Sequence, residues 1–264
     1  MKNVLDLKVG IQLASLQLPF KKALHTAAEL GANGVEIDAR NDLKPQELSH
    51  TGLRQLRKTL DDRNLRVCAV GFQTRRGYNV LDDLDRRVEA TKEAMQFAYD
   101  LGASVVINQV GRIPDEPVGP EWDLLVQVLT DIGRFGQRVG ATLAVETGSE
   151  DAAKLRQLLD ALPAGSIGVN LDPGNLIVNG FSASEAAKRL GEHVIHVHAK
   201  DGVRDLAQGR GLETQLGRGA ADFPEILAIL EEHEYRGYFT IERKHAQDPV
   251  LEVGQAVQYL RRLL

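Results

Sequence analysis

The stretch Ile195-His196-Val197-His198-Ala199-Lys200-Asp201 carries the densest chemistry in the chain. Side chains on a strand alternate between faces, so Ile195, Val197 and Ala199 share one side while His196, His198 and Lys200 share the other. Two imidazoles and an ammonium in line point to a metal, a carboxylate or a ligand on that face, since half-buried strands seldom spend three such groups on bulk water. Acids complete the pattern. Leu143-Ala144-Val145-Glu146, Val169-Asn170-Leu171-Asp172 and Phe239-Thr240-Ile241-Glu242 each put bulky apolar residues on one face and, on the other, a small or polar residue followed by an acid.

Three carboxylates brought together without a cation repel and raise one another's pKa. A divalent ion removes that cost. With His198 the set is three oxygen donors and one nitrogen, which suits Mn²⁺ or Mg²⁺ better than the sulfur-rich and imidazole-rich sites of structural zinc; Zn²⁺, Co²⁺ and Fe²⁺ are also compatible. The sequence therefore predicts one divalent metal bound by Glu146, Asp172, His198 and Glu242.

The elements that must position these residues follow a simple rhythm. Strands are predicted at 8–15, 34–38, 66–73, 104–108, 142–146, 167–172, 193–201 and 238–242, and helices at 20–30, 51–62, 82–101, 120–139, 150–162, 182–190, 223–233 and 250–264, from periodicity and from stops such as Gly31, Gly102, Gly140 and Gly191. Strict alternation implies a parallel sheet with right-handed crossovers, and eight units close into a (β/α)8 TIM barrel. An open doubly wound sheet would want a glycine-rich phosphate loop after the first strand, where Ser15-Leu16-Gln17-Leu18-Pro19 stands instead. Inward-facing acids at strand ends arrive at the C-terminal rim, where such barrels keep their sites.

Composition sets the bounds. The chain has 264 residues, 43% hydrophobic and 26% charged, with no linker or low-complexity run, which fits a single barrel domain over 1–264. A net charge of −5, with basic residues scattered among acids, shows no phosphate-backbone footprint, so nucleic acid is not an expected partner. Cys68 is the only cysteine, which excludes an intrachain disulfide and CxxC metal motifs. No apolar run is long enough for a bilayer, so the expectation is a cytoplasmic protein without a membrane partner, with a homo-oligomer compatible.

The ordered pieces Gly34-Val35-Glu36-Ile37, Glu146, Asp172-Pro173-Gly174-Asn175, His196-Val197-His198-Ala199-Lys200-Asp201, Leu216-Gly217-Arg218-Gly219 with Asp222-Phe223, and Tyr238-Phe239-Thr240-Ile241-Glu242 resemble the xylose isomerase-like TIM-barrel family of sugar phosphate isomerases and epimerases, which also includes endonuclease IV. The resemblance covers nearly the whole chain. It implies that Glu146, Asp172, His198 and Glu242 bind one metal, and that Glu146 and Glu242 face each other across a small-molecule carbohydrate as acid/base pair. The implied activity is a metal-dependent sugar or sugar-phosphate isomerase or epimerase. An inosose or dehydroshikimate-type dehydratase is the alternative; an endonuclease IV-like phosphodiesterase and a non-catalytic sugar-binding module are weaker rivals. Three residues after Asp172 such epimerases and nucleases usually show a histidine. Here it is Asn175, which suits a substrate hydroxyl rather than a second metal.

Supporting roles follow. Glu36 and Gln12 point inward as substrate contacts or as partners of the ligands. His196 and Lys200, beside His198, are expected at the substrate. Gln73, Asn108 and Gln109 end strands where hydroxyl-binding groups serve. Arg75-Arg76 reads as a solvated turn, with contact to a substrate phosphate as the alternative. The glycine-dotted segment 202–221 reads as a lid, with Arg218, or alternatively Arg210, reaching an oxyanion or phosphate.

Overall fold

The computed structural model describes residues 7–205 and 211–263. Seven strands come first: β1 (Lys8–Gln12), β2 (Gly34–Asp38), β3 (Arg66–Gly71), β4 (Val105–Asn108), β5 (Thr142–Glu146), β6 (Ile167–Leu171) and β7 (Val194–Ala199). An antiparallel hairpin follows, β8 (Asp201–Val203) with β9 (Leu212–Thr214), and then β10 (Tyr238–Ile241). All but the hairpin strands close into a parallel barrel in the order β1-β10-β7-β6-β5-β4-β3-β2. The helices among the described residues are α1 (Phe20–Glu29), α2 (His50–Asp61), α3 (Leu84–Asp100), α4 (Pro120–Val139), α5 (Ala152–Asp160), α6 (Pro173–Val178), α7 (Ala183–Leu190), α8 (Phe223–Glu232) and α9 (Pro249–Arg262). None is long and apolar enough to cross a membrane.

Strands covered on both sides read as continuous buried runs. Val9, Ile11, Val35, Ile37, Leu143, Val169, Val197 and Phe239 belong to the main core shared with the helices. A separate apolar plug fills the barrel interior: Ala69, Val105, Ile107 and Ala144, with Ile195 against them. Glu36, Glu146, Asn170, His196, His198 and Glu242 form a buried polar layer on the same inward face.

The fold departs from simple alternation at two bulges, one between β2 and β3, where Val35 pairs with Val67 but Glu36 with Ala69, and one that shapes the site. The β6–β7 register shifts between Val169 and Asn170, so that Val169 pairs with Val194 and Asn170 with His196. The extra residue, Ile195, joins the interior plug instead of the outer face expected from alternation. Gly168 makes room for it, because a Cβ there would lie 2.6 Å from Ile195 Cδ1. The bulge leaves His196 and His198 inward, and Ile195 becomes part of the floor beneath them.

Other boundaries also shift. The first strand stops at Gln12 and runs into a 3-10 turn, Leu13–Leu16, that buries Leu13 and Leu16. The predicted strand 66–73 ends at Gly71. A helix unforeseen from periodicity, α6, starts directly after β6 with Asp172 as N-cap and Pro173 in its first turn.

Candidate active site

The barrel register delivers the four predicted metal ligands to one place. Oxygen or nitrogen atoms of Glu146, Asp172, His198 and Glu242 all lie within 4.8 Å of one another, and every one of these residues is buried. His198 sits at the centre. Its Nδ1 is 3.1 Å from Glu146 Oε1, 3.2 Å from Glu242 Oε2 and 3.8 Å from Asp172 Oδ2. Its Nε2 faces the other way, 2.8 Å from Glu36 Oε2 on β2. A ring that gives Nε2–H to a carboxylate has its Nδ1 free to ligate, the usual orienting device for a metal-bound histidine. Glu36 is fixed in turn by Gln12, whose Nε2 donates to Glu36 Oε1 at 3.0 Å.

Asp172 shows most directly that the site fits a cation. Its Oδ1 accepts the Asn175 N–H at 2.7 Å as the cap of α6, whereas its fully buried Oδ2 has no hydrogen-bond partner. An orphaned buried carboxylate oxygen is costly, and a cation among these four side chains satisfies it. Charge counting agrees. Glu36, Glu146, Asp172 and Glu242 are met by two ammonium groups: Lys200 Nζ at 3.4 Å and Lys244 Nζ at 2.6 Å from Glu242 oxygens. The buried carboxylates outnumber these cations, an excess that a divalent ion would offset.

Without an ion, the side chains share the burden. Burial alone would lower His198, but Glu36, Glu242, Asp172 and Glu146 outweigh it and hold the imidazolium well above its ordinary range. Burial raises Asp172. For Glu242 burial is opposed and overcome by His198, Lys200 and Lys244, which hold it well below the usual carboxylate range. His196, fully buried beside His198, is pushed down to about 3, chiefly by burial, and is neutral.

The mouth above this cluster is a pocket of about 300 Å³ lined by residues that include Gln12, Glu36, Gln73, Glu146, His198 and Glu242. Gln73 and Gln109 both donate to Glu146 Oε2, each at 3.2 Å, so these amides orient that carboxylate. Asn108 instead lies on the helix-facing side of β4 with Val106 and donates to the Tyr78 hydroxyl at 2.7 Å. Lys200 bridges Asn175 Oδ1, at 3.1 Å, and Glu242. His196 lies beneath, its Nε2 3.9 Å from Glu36 and without a hydrogen-bond partner.

Arg218 does not line this pocket. Both carboxylate oxygens of buried Asp201 bind the backbone of its segment, accepting from Gly202, Gly217, Gly219 and Ala221 at 2.8–3.0 Å. Glu213 on β9 is also pinned, to Arg243 and to the Lys244 N–H at 2.9 Å. The segment expected as a lid holds the β8–β9 hairpin, and Arg218 projects from an exposed turn between β9 and α8 that Asp201 fastens. Arg210 and Gly209 lie outside the described residues.

Two contributors escaped the sequence reading. Lys244 stands two residues beyond Glu242, as Lys200 stands two beyond His198, and the same period-2 rule would have found it. Asn170, one layer below Asp172, places its Nδ2 3.0 Å from His198 Nδ1.

Residues 24–263 match the model of a family described as xylose isomerase-like TIM barrel. An inosose dehydratase of Bacillus thuringiensis (strain Al Hakam) is 25% identical, over 88% of this chain and 84% of that protein. Among solved structures, a xylose isomerase domain protein from Planctomyces limnophilus superposes with a TM-score of 0.85 at 24% identity, covering 97% of both chains. D-allulose 3-epimerase from Methylomonas sp., in complex with D-allulose, gives a TM-score of 0.77 at 17% identity, covering 98% of this chain and 97% of that one. With its family-model match spanning most of its length and its acids gathered inside the C-terminal rim of a closed barrel, the chain belongs to the xylose isomerase-like TIM-barrel family.

Proposed function

We propose that the protein is a divalent-metal-dependent isomerase or epimerase of a sugar or sugar phosphate, working by removal of a proton beside a carbonyl. The observation that carries this reading is the four-residue cluster with its orphaned Asp172 Oδ2 at the base of a pocket. A divalent ion held by Glu146, Asp172, His198 and Glu242, with Mn²⁺ or Mg²⁺ preferred by the oxygen-rich donor set, supplies Lewis acidity toward the charge that develops on substrate oxygens.

The chain's own groups move the proton. Glu146 and Glu242 both line the pocket; Gln73 and Gln109 hold Glu146 Oε2 and Lys244 holds Glu242 Oε1, while the other oxygen of each faces His198. One takes the proton and the other returns it, to the opposite face for epimerisation or to the adjacent carbon for isomerisation. Glu36 keeps His198 oriented and offers the pocket a hydrogen-bond acceptor. Lys200 and Asn175, expected at the substrate, are joined to each other beside Glu242 but do not line the pocket, so they act on substrate through Glu242. His196 serves as neutral support under Glu36, and Arg218 would reach substrate only if its turn moved.

A dehydratase reading shares the first step and then expels a β-hydroxyl as water. The relation to the inosose dehydratase, spread along 88% of the chain, favours it about equally. One experiment separates the outcomes: ketoses, inososes and their phosphates incubated in D₂O with Mn²⁺-loaded protein and followed by NMR. Epimerase or isomerase chemistry gives deuterium alpha to the carbonyl in a product of unchanged composition. Dehydratase chemistry gives a product short of one water. Conversion of a true substrate by a hydride shift between carbons would defeat the carboxylate-pair assignment.

A further inference from the structure

A second cleft of about 630 Å³ opens beside the catalytic pocket, between the segments that follow β2 and β3 and the start of α3. The two cavities share a wall. Asp38 and Gln73 line the pocket, while their chain neighbours Ala39, Phe72 and Thr74 line the cleft, and Arg40 Nη1 donates to the Gln73 carbonyl at 2.6 Å.

Six cationic side chains line this cleft, Arg40, Lys44, Arg75, Arg76, Arg86 and Arg87, against the single carboxylate of Asp83. That is a local reversal in a chain of net charge −5. Part of the charge is spent. Arg76 pairs with Asp82 at 2.7 Å, Lys44 with Glu47 at 2.7 Å, and Arg87 donates to backbone carbonyls, including Gly77 at 3.1 Å. Arg40, Arg75 and Arg86 form no ion pair among the described residues.

The wall that carries them is fixed. Tyr78 is fully buried, with its hydroxyl 2.7 Å from both Thr91 and Asn108. Thr74 N–H donates to Asn108 Oδ1 at 3.1 Å. Gly77 meets the loop after β4 so closely that a Cβ would fall 2.4 Å from Gly111 Cα. Arg40 lies over the Phe72 ring at 5.7 Å. The Arg75-Arg76 turn is thus anchored at its base, although both side chains are exposed as the sequence reading expected.

Guanidinium groups without a carboxylate partner, gathered in a concavity, focus positive potential and present planar forks of donors that match an oxyanion, although Arg40 has one nitrogen engaged by the Gln73 carbonyl. A pocket of about 300 Å³ is at the small end for a ligand site, so an extended ligand has room to run on into the cleft. We infer that the cleft is an anion subsite of the same active site, so that the substrate carries a phosphate or carboxylate at the end remote from its reacting carbon. This rests on the proposed proton-transfer reading for the pocket, but its own test does not.

Inorganic phosphate and acetate are titrated separately into Mn²⁺-loaded protein at low ionic strength by calorimetry, using wild type and the Arg40→Gln/Arg75→Gln double variant. The expected result is millimolar binding of at least one anion, weakened about tenfold or more in the variant, as loss of charge-assisted hydrogen bonds requires, with metal stoichiometry and Tm retained. Whichever anion binds more tightly names the group. Absence of binding, or equal binding by the variant, overturns the subsite. With a turned-over substrate, the variant should raise KM more for an anionic ketose than for its neutral counterpart; equal effects overturn it as well. Anion binding that stands while no compound exchanges in D₂O would sink the proton-transfer reading and leave the subsite intact.

Discussion

Strands β5, β6, β7 and β10 are contiguous in the barrel and bring Glu146, Asp172, His198 and Glu242 to one side of its mouth, whereas the segments after β2 and β3 bring Arg40, Arg75 and Arg76 to the other. The acidic side is buried and its carboxylates depend on a few internal cations. The basic side is open to solvent and holds more guanidinium than its acids neutralise. The contrast separates two tasks that one surface cannot perform together. Acids buried close together create a demand for a metal and supply proton carriers, while basic groups near solvent recruit a charged ligand without paying the full desolvation of a buried ion. Glu36 links the sides, since it leaves β2 and orients His198 on β7.

The strongest way to break the acidic side is to remove its proposed proton carriers. Glu146→Gln and Glu242→Gln should each cut turnover by ~10²-fold to 10⁴-fold, measured as kcat under saturating Mn²⁺. The split with metal content sharpens the point, because each change removes a ligand charge as well as a base.

Next in size is the link between the sides. Glu36→Gln keeps the shape but weakens the hold on His198 Nε2–H, and should lower Mn²⁺ affinity by about 10-fold to 100-fold in a competition titration. Unchanged affinity would mean that packing alone orients the ring.

The smallest effect concerns the basic side. Tyr78→Phe removes the hydroxyl joining Thr91 and Asn108, and should cost about 1 kcal/mol in urea unfolding while sparing metal content. A loss of metal would show that the two sides are less separate than their geometry suggests.

How much of this was legible in the sequence differs between the sides for a physical reason. Glu146, Asp172, His198 and Glu242 end local period-2 patterns, so each could be placed without knowing its neighbours, and Lys244 obeyed the same rule unnoticed. Asp172-Pro173 was a readable cap and first-turn signal for α6. The inward turn of Ile195 was not readable, because a bulge is a property of strand pairing and not of one strand. Arg40, Arg75 and Arg86 come from separate segments, and only the closed barrel and the Tyr78 anchor set them around one cleft. Around Arg218 the flanking glycines read as the hinges of a lid, and the sequence does not show that their backbone N–H groups donate to Asp201.

One divalent ion is proposed to organise the buried acids. Calorimetric titration of Mn²⁺ into chelator-stripped protein at neutral pH tests it directly, with Asp172→Asn as the control that keeps shape and removes the charge on the orphaned oxygen. The expected results are one site per chain in the wild type, proton uptake by the buffer as His198 gives up its proton, a rise in Tm on metal binding, and strong loss of affinity in Asp172→Asn. A chain that takes up no metal, or that binds it equally well in Asp172→Asn, would contradict it.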